Sequence, residues 1–242
     1  MKQQSYCLSF VLLLLLLSST AQSQGTPATN PASQDSVISI YYENIRENAP
    51  FFNGAEYTGH GQGIIGHAFF ESDQPYRGWL EYDGVLYKNL DLRYDLIDDA
   101  VIIKDYSGNF YMRLNSNKIR AFGLGNYEFV QPSYGKGDFE GAGFFQRVYN
   151  GTSTVLVKRR KQVVFRTTEE KSISSYIQYN DYYVRSRNRY QVVEGNNSVL
   201  RAFSDHRSEL KKFINNNKLN VRKQAELALI RIASHYDQLK NQ

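Results

Sequence analysis

Across residues 78–130 apolar side chains recur at every second position and turn-forming residues fall at short, regular intervals, the pattern of a strand meander. Leu90, Leu92, Tyr94 and Leu96 alternate with Asp91, Arg93 and Asp95, and Phe110, Met112 and Leu114 alternate with Tyr111 and Arg113. Successive strand side chains point to opposite faces, so this alternation predicts an antiparallel sheet with one face in a core and the other in water. Asp83-Gly84 reads as a two-residue hairpin turn, because Gly accepts the positive φ that the favoured tight turns require. Asp98-Asp99, Ser107-Gly108, Asn115-Ser116-Asn117 and residues 123–126 mark the next reversals. Strands resume at 144–149 and 154–158 on either side of Asn150-Gly151, the strongest hairpin dipeptide in the chain, and again at 182–184 and 190–193.

After Gly195 the apolar period changes from two to about 3.6. Val199, Leu200, Phe203, Leu210, Phe213 and Ile214 predict a helix or a broken pair of helices that ends at Asn215-Asn216-Asn217. Asn220 is placed to cap a further helix with the apolar stripe Ala225, Leu229, Ile232, Tyr236 and Leu239. The result is an amphipathic helical hairpin that must dock on the sheet or on a partner. Upstream, residues 25–35 lack periodicity and are rich in Pro, Ser, Thr and Asn, which suits a flexible linker; VISIYY at 37–42 reads as a first strand, and the Gly-rich stretch 132–143 as a loop. The expected organisation is a signal segment 1–22, a linker 23–35, an antiparallel β domain 36–195 and a helical segment 196–242 packed on it. The fold class is mainly β with an α tail: a curved antiparallel meander or a partly open barrel with a C-terminal helical hairpin.

The signal reading rests on Lys2, an apolar run over residues 8–17 and small residues at 19–23. That run is half the roughly 20 residues a membrane-crossing helix needs, and no later stretch is apolar enough, so the expected mature chain is exported without a transmembrane segment. Cys7, the one cysteine, precedes the apolar run, which excludes disulfides and thiolate chemistry from a processed chain. The net charge of +5 conceals a division. Residues 22–154 carry 10 Lys and Arg against 16 Asp and Glu, a net of −6, whereas residues 155–242 carry 18 against 8, a net of +10. Such asymmetry marks either a surface for acidic partners or two complementary faces of one molecule.

Candidate chemistry is sparse. His60 and His67 lie seven apart in GHGQGIIGHAFF without a third ligand at a recognisable spacing, so no metal is assigned. Gly59, Gly61, Gly63 and Gly66 lack the strand-then-helix setting of a phosphate-cradling loop and read as a turn. Asp95, Asp98, Asp99 and Asp105 lack the alternation of a calcium loop and read as turn formers. No catalytic or cofactor-binding residue is assigned. The possible contact for an anionic partner is Lys158, Arg159, Arg160 and Lys161, placed at a strand end or hairpin tip, joined by Arg185, Arg187 and Arg189. Nucleic acid is not an expected partner of an exported chain.

The stretches GHAFF, GWLEYDGVLYKNLDLRYDLIDDAVII, GFFQRVYNGTSTVLVKRRK and LRAFSDHRSELKKFINNN, with the closing helix ending SHYDQLK, make the chain similar to a group of exported Bacteroidota proteins to which no activity is attached. The resemblance implies a periplasmic or outer-membrane-associated setting and brings no cofactor or catalytic residue. The expected function is therefore a non-enzymatic cell-envelope module that binds an envelope protein or an anionic lipid surface, or serves as a scaffold. The abundance of tyrosine, 19 residues, suits both sheets and interfaces. Two alternatives are a β-barrel enclosing a small apolar ligand, recognisable by an apolar cavity, and a glycan or cell-wall hydrolase, recognisable by paired carboxylates in a cleft.

Overall fold

The computed structural model describes residues 49–132, 142–167 and 171–241; the expected signal segment, linker and strand 37–42, and most of the 132–143 loop, lie outside the described residues. Among the described residues twelve strands form one sheet: β1 (Ala55–Glu56), β2 (Ile64–Ile65), β3 (Tyr76–Tyr82), β4 (Val85–Asp95), β5 (Ala100–Lys104), β6 (Tyr111–Arg113), β7 (Ile119–Leu124), β8 (Tyr127–Val130), β9 (Phe145–Asn150), β10 (Thr154–Thr167), β11 (Ser172–Ser186) and β12 (Arg189–Val193). Their spatial order is β1-β6-β5-β4-β3-β7-β8-β9-β10-β11-β12, antiparallel throughout, with β2 added in parallel beside β11. The sheet is open, not a closed barrel.

Turn chemistry sets the register. Asp83 and Gly84 both take positive φ, 50° and 78°, and Arg187 and Asn188 do so at the β11–β12 turn, 52° and 64°. Paired positive φ values match the right-handed twist of the flanking strands, which is why two residues suffice at each reversal. Gly151 behaves differently. It is outside the positive-φ set, and its role is space: a Cβ there would lie 2.2 Å from Asp237 Oδ2 and 2.7 Å from the Tyr149 hydroxyl.

Two hydrophobic cores lie along this one sheet. The first belongs to the meander and is built from aromatic rings: Phe122 stacks on Phe129 at 4.9 Å, with Tyr94 and Phe144 edge-on to Phe122 at 5.3 and 5.1 Å, and Phe70 edge-on to Phe129 at 5.0 Å. The second sits under the C-terminal helices α1 (Asn196–Ala202), α2 (Arg207–Asn216) and α3 (Ala225–Lys240), where Val155, Val184 and Val193 of the sheet meet Leu200, Leu210, Leu229, Ile232 and Tyr236. The expected helical pair is thus three helices, α1 and α2 being separated by a 3-10 turn at Ser204–His206. Asn220 caps as a side chain, accepting from the N–H of Arg222 and Lys223, but the turn it closes precedes α3. No helix among the described residues is long and apolar enough to cross a membrane.

β10 and β11 pair in unbroken register from Thr154–Arg185 to Thr167–Ser172, so the hairpin runs well past the second core. Where β10 leaves that core, Lys161 N–H donates to Leu96 O at 3.0 Å, and the β4–β5 turn of the meander rests against it. This contact joins the β4–β5 turn to β10, strands that are not neighbours in the sheet order.

A polar cleft closed by a latched arm

Residues 57–69 form an arm that runs from β1 across the β4–β5 turn to β11 and back. Gly59, Gly61, Gly63 and Gly66 have φ of 79°, 106°, 74° and 89°, a backbone that side-chain-bearing residues resist, so the arm winds without extended strand except at β2. Main-chain bonds pin it at intervals: Tyr57 N–H to Tyr111 O at 2.8 Å, Leu96 N–H to Ala68 O at 3.0 Å, and Phe70 N–H to Tyr94 O at 2.8 Å. From beneath, Lys161 Nζ donates to His67 O and Phe69 O at 2.9 and 2.6 Å.

Asp95 is the latch. The alternation of β4 predicts a solvent-facing side chain, yet Asp95 is wholly buried because the arm covers that end of the strand. Its Oδ1 accepts the N–H groups of Ile97 and Asp98 at 2.8 and 3.1 Å, the turn-forming role expected of it. Its Oδ2 accepts the Tyr57 hydroxyl and His60 Nε2, each at 2.6 Å. One carboxylate therefore ties the β4–β5 turn to the arm. Burial, followed by the hydrogen bond and charge of Asp95, pushes the Tyr57 hydroxyl well above the usual tyrosine range, so it stays protonated as a donor.

Between arm and sheet lies a cleft of about 450 Å³, with His60, His67, Arg93, Tyr111, Tyr176 and Asp73 in its wall. The Arg93 guanidinium lies over the rings of Phe69 and Tyr111, 5.1 and 4.4 Å from their centroids, and Nη2 donates to the Tyr111 hydroxyl at 2.9 Å. Arg93 Nε and His67 Nδ1 are shielded from solvent and lack a hydrogen-bond partner among the described residues. Each such orphan costs about 1–3 kcal/mol, which a shift onto a bound group or water relieves.

His60 Nε2 and one oxygen each of Asp95 and Asp98 lie within 4.8 Å of one another, close enough to share a cation. The atoms are already supplied with protons and positive charge. Asp95 Oδ2 holds two donors, and Asp98 is ion-paired with Arg113, whose guanidinium would oppose an added cation. The donor set accounts for itself as a latch. His67 stands apart, stacked against Phe69.

Burial and the neighbouring Lys161 charge hold the His67 imidazole below the usual histidine range, with Asp73 and Glu71 opposing weakly. A depressed folded value means that the unfolded chain takes up the proton first, so the contribution is complete above the ordinary value of 6.5 and is lost as pH falls below it. His67→Gln is therefore expected to flatten the stability decline that sets in as pH falls below about 6.5, read by urea unfolding at stepped pH. An unaltered decline would assign the loss to other groups.

The basic residues singled out from the sequence do not form one face. Lys158, Arg159, Arg160 and Lys161 stand inside the 14-residue β10, not at a strand end, and alternate between its two sides. Lys158 Nζ is 2.6 Å from Asp99 Oδ2; Arg159 is buried against Gln146 Oε1, 2.8 Å from Nε, and Glu226 Oε1, 2.8 Å from Nη1; Arg160 pairs with Asp181. Lys161 serves the arm. Arg185 contacts Asn188 and the Tyr190 ring, Arg187 pairs with Asp205 at 3.2 Å, and Arg189 is exposed at the start of β12. The latch escaped sequence reasoning because His60 and Asp95 are 35 residues apart and Asp95 is masked by an ordinary strand alternation. No protein-family model, curated protein or solved structure matches the chain.

Proposed function

We propose that the chain is a non-catalytic binding module of the cell envelope, and that its cleft takes up a small acid-bearing molecule. The observation that carries this reading is Arg93: a guanidinium fixed between two aromatic rings in a cleft wall, bonded to a tyrosine hydroxyl and paired with no carboxylate among the described residues. A planar cation held in this way suits a carboxylate or phosphate, which it can meet with two parallel hydrogen bonds. The acid–base groups nearby have other work. Asp95 accepts four donors, Asp98 faces Arg113, and His60 is turned onto Asp95. The meander interior is filled with packed rings, so the apolar-ligand alternative finds no support there.

Calorimetric titration of the purified chain with citrate, galacturonate and inorganic phosphate tests the reading. Saturable binding of at least one is expected, with at least tenfold weakening in Arg93→Gln, as follows from losing a charge-assisted hydrogen bond of about 1.5–3 kcal/mol. A folded Arg93→Gln that binds as tightly as the parent would refute the site. Recovery of the tagged chain outside the envelope fraction would refute the location.

A further inference from the structure

On the face of the meander opposite its core, β3 carries Arg77, Trp79 and Glu81, while Leu80 and Tyr82 point inward and are buried. Across the ladder, Lys88 stands beside Trp79 and Leu86 beside Glu81 on β4, and Gly123 lies opposite Trp79 on β7. A Cβ built on Gly123 would lie 2.1 Å from Trp79 Nε1, 2.6 Å from Cδ1 and 2.7 Å from Cε2. The two carbons are nearly as close as the nitrogen they flank. That is the geometry of a point above the ring plane; an approach along the N–H edge would leave both carbons well beyond the nitrogen. The indole thus lies flat across Gly123, which holds one of its faces against the sheet and turns the other outward.

The outward face belongs to an open groove of about 580 Å³. Trp79 and Leu86, the latter 40% exposed, make its apolar floor, and Arg77, Glu81, Lys88 and Asn89 stand around it. Both signs of charge occur on this rim and are already paired, Arg77 with Asp91 at 3.2 Å and Glu81 with Arg120 at 3.1 Å, so an anion or a cation gains a counter-ion here only by breaking a pair. A neutral molecule covered with hydroxyls meets neither penalty and finds donors and acceptors on every side. A flat aromatic surface accepts the C–H face of a sugar ring, burying apolar area while leaving the hydroxyls to the polar rim.

We propose that this groove binds a neutral oligosaccharide, stacked on Trp79 and hydrogen-bonded by Arg77, Glu81 and Asn89. The site is separate from the Arg93 cleft and stands or falls independently of it. Trp79 is the only tryptophan in the chain, so its emission reports the groove directly.

The test is a fluorescence titration of the full chain with neutral hexasaccharides of β-1,4-glucose, β-1,3-glucose, β-1,4-xylose and N-acetylglucosamine, with an oligogalacturonate for comparison. A saturable change in emission with at least one neutral sugar is expected. Calorimetry should then show at least tenfold weakening in Trp79→Ala. Leu86→Glu, at an exposed position that leaves the core untouched, should weaken binding similarly and guards against misfolding of the first variant. Arg93→Gln should bind the sugar as the parent does. No response to any neutral sugar, a response to the oligogalacturonate alone, or undiminished binding by folded Trp79→Ala or Leu86→Glu would each overturn the proposal.

Discussion

Asp95→Ala is expected to lower the unfolding free energy by about 3–5 kcal/mol, the range for dismantling a buried, fully hydrogen-bonded charge site. The substitution strands the Tyr57 hydroxyl, the His60 imidazole and the N–H groups of Ile97 and Asp98 at once. Asp95→Asn keeps one acceptor but presents an amide N–H₂ to a donor, and should cost less, about 1–3 kcal/mol. Amide exchange locates the damage. The N–H groups of Phe70 and Leu96, which hold the arm to the meander, should lose protection in either variant while the Leu80 and Phe122 amides of β3 and β7 keep theirs. A denaturant midpoint for Asp95→Ala within experimental error of the parent would mean that the glycine-rich arm is held by its main-chain bonds alone.

The same residue shows where sequence reasoning reaches its limit. Leu92 and Tyr94 are buried as alternation dictates, and the turns at Asp83-Gly84 and Asp98-Asp99 close as their residues require. These features are local, set by side-chain direction and by backbone preference over a few positions. Asp95 obeys the local rule on its backbone and breaks it in its surroundings, because a segment that begins 38 residues earlier, at Tyr57, folds over it. Gly151 is a parallel case: the Asn-Gly pair marks a real reversal, but the glycine is required by the approach of Asp237 from α3, 86 residues away in sequence, and not by φ. Phe110 departs the other way; its strand begins one residue later, and the ring is 43% exposed.

Charge is the least legible property of all. A run such as Lys-Arg-Arg-Lys reads as one patch, yet a strand separates its members onto two sides, and Arg159 then reaches α3 through Glu226 while Lys158 reaches the β4–β5 turn through Asp99. Of these pairs Lys158–Asp99 joins the acidic to the basic half, whereas Arg159–Glu226 and Arg160–Asp181 lie within the basic half itself. Replacing all four residues at once removes the buried Arg159 bonds and the Lys161 support of the arm together, and so confounds attachment with folding. Arg160, Arg187 and Arg189, which are exposed, are the cleaner positions at which to ask whether this half of the surface meets an anionic partner.

Phe122→Ala is expected to cost about 3–5 kcal/mol, the usual price of emptying a large aromatic site that cannot collapse. The ring is fully buried and touches Tyr94, Phe129 and Phe144 in the meander core. Leu229→Ala, equally buried beneath the helices, should cost about 2–5 kcal/mol. The two clusters share no residue; they are joined by the sheet running through β8, β9 and β10 and by polar contacts at β10, such as Lys161 N–H to Leu96 O and Lys158 to Asp99. Their losses in the double variant should therefore add to within about 0.5 kcal/mol. Trp79 emission follows the meander and far-ultraviolet circular dichroism follows the helices, so equilibrium unfolding with both probes measures each term. A coupling above about 1 kcal/mol would show that the cores communicate through the shared strands and behave as one packed unit.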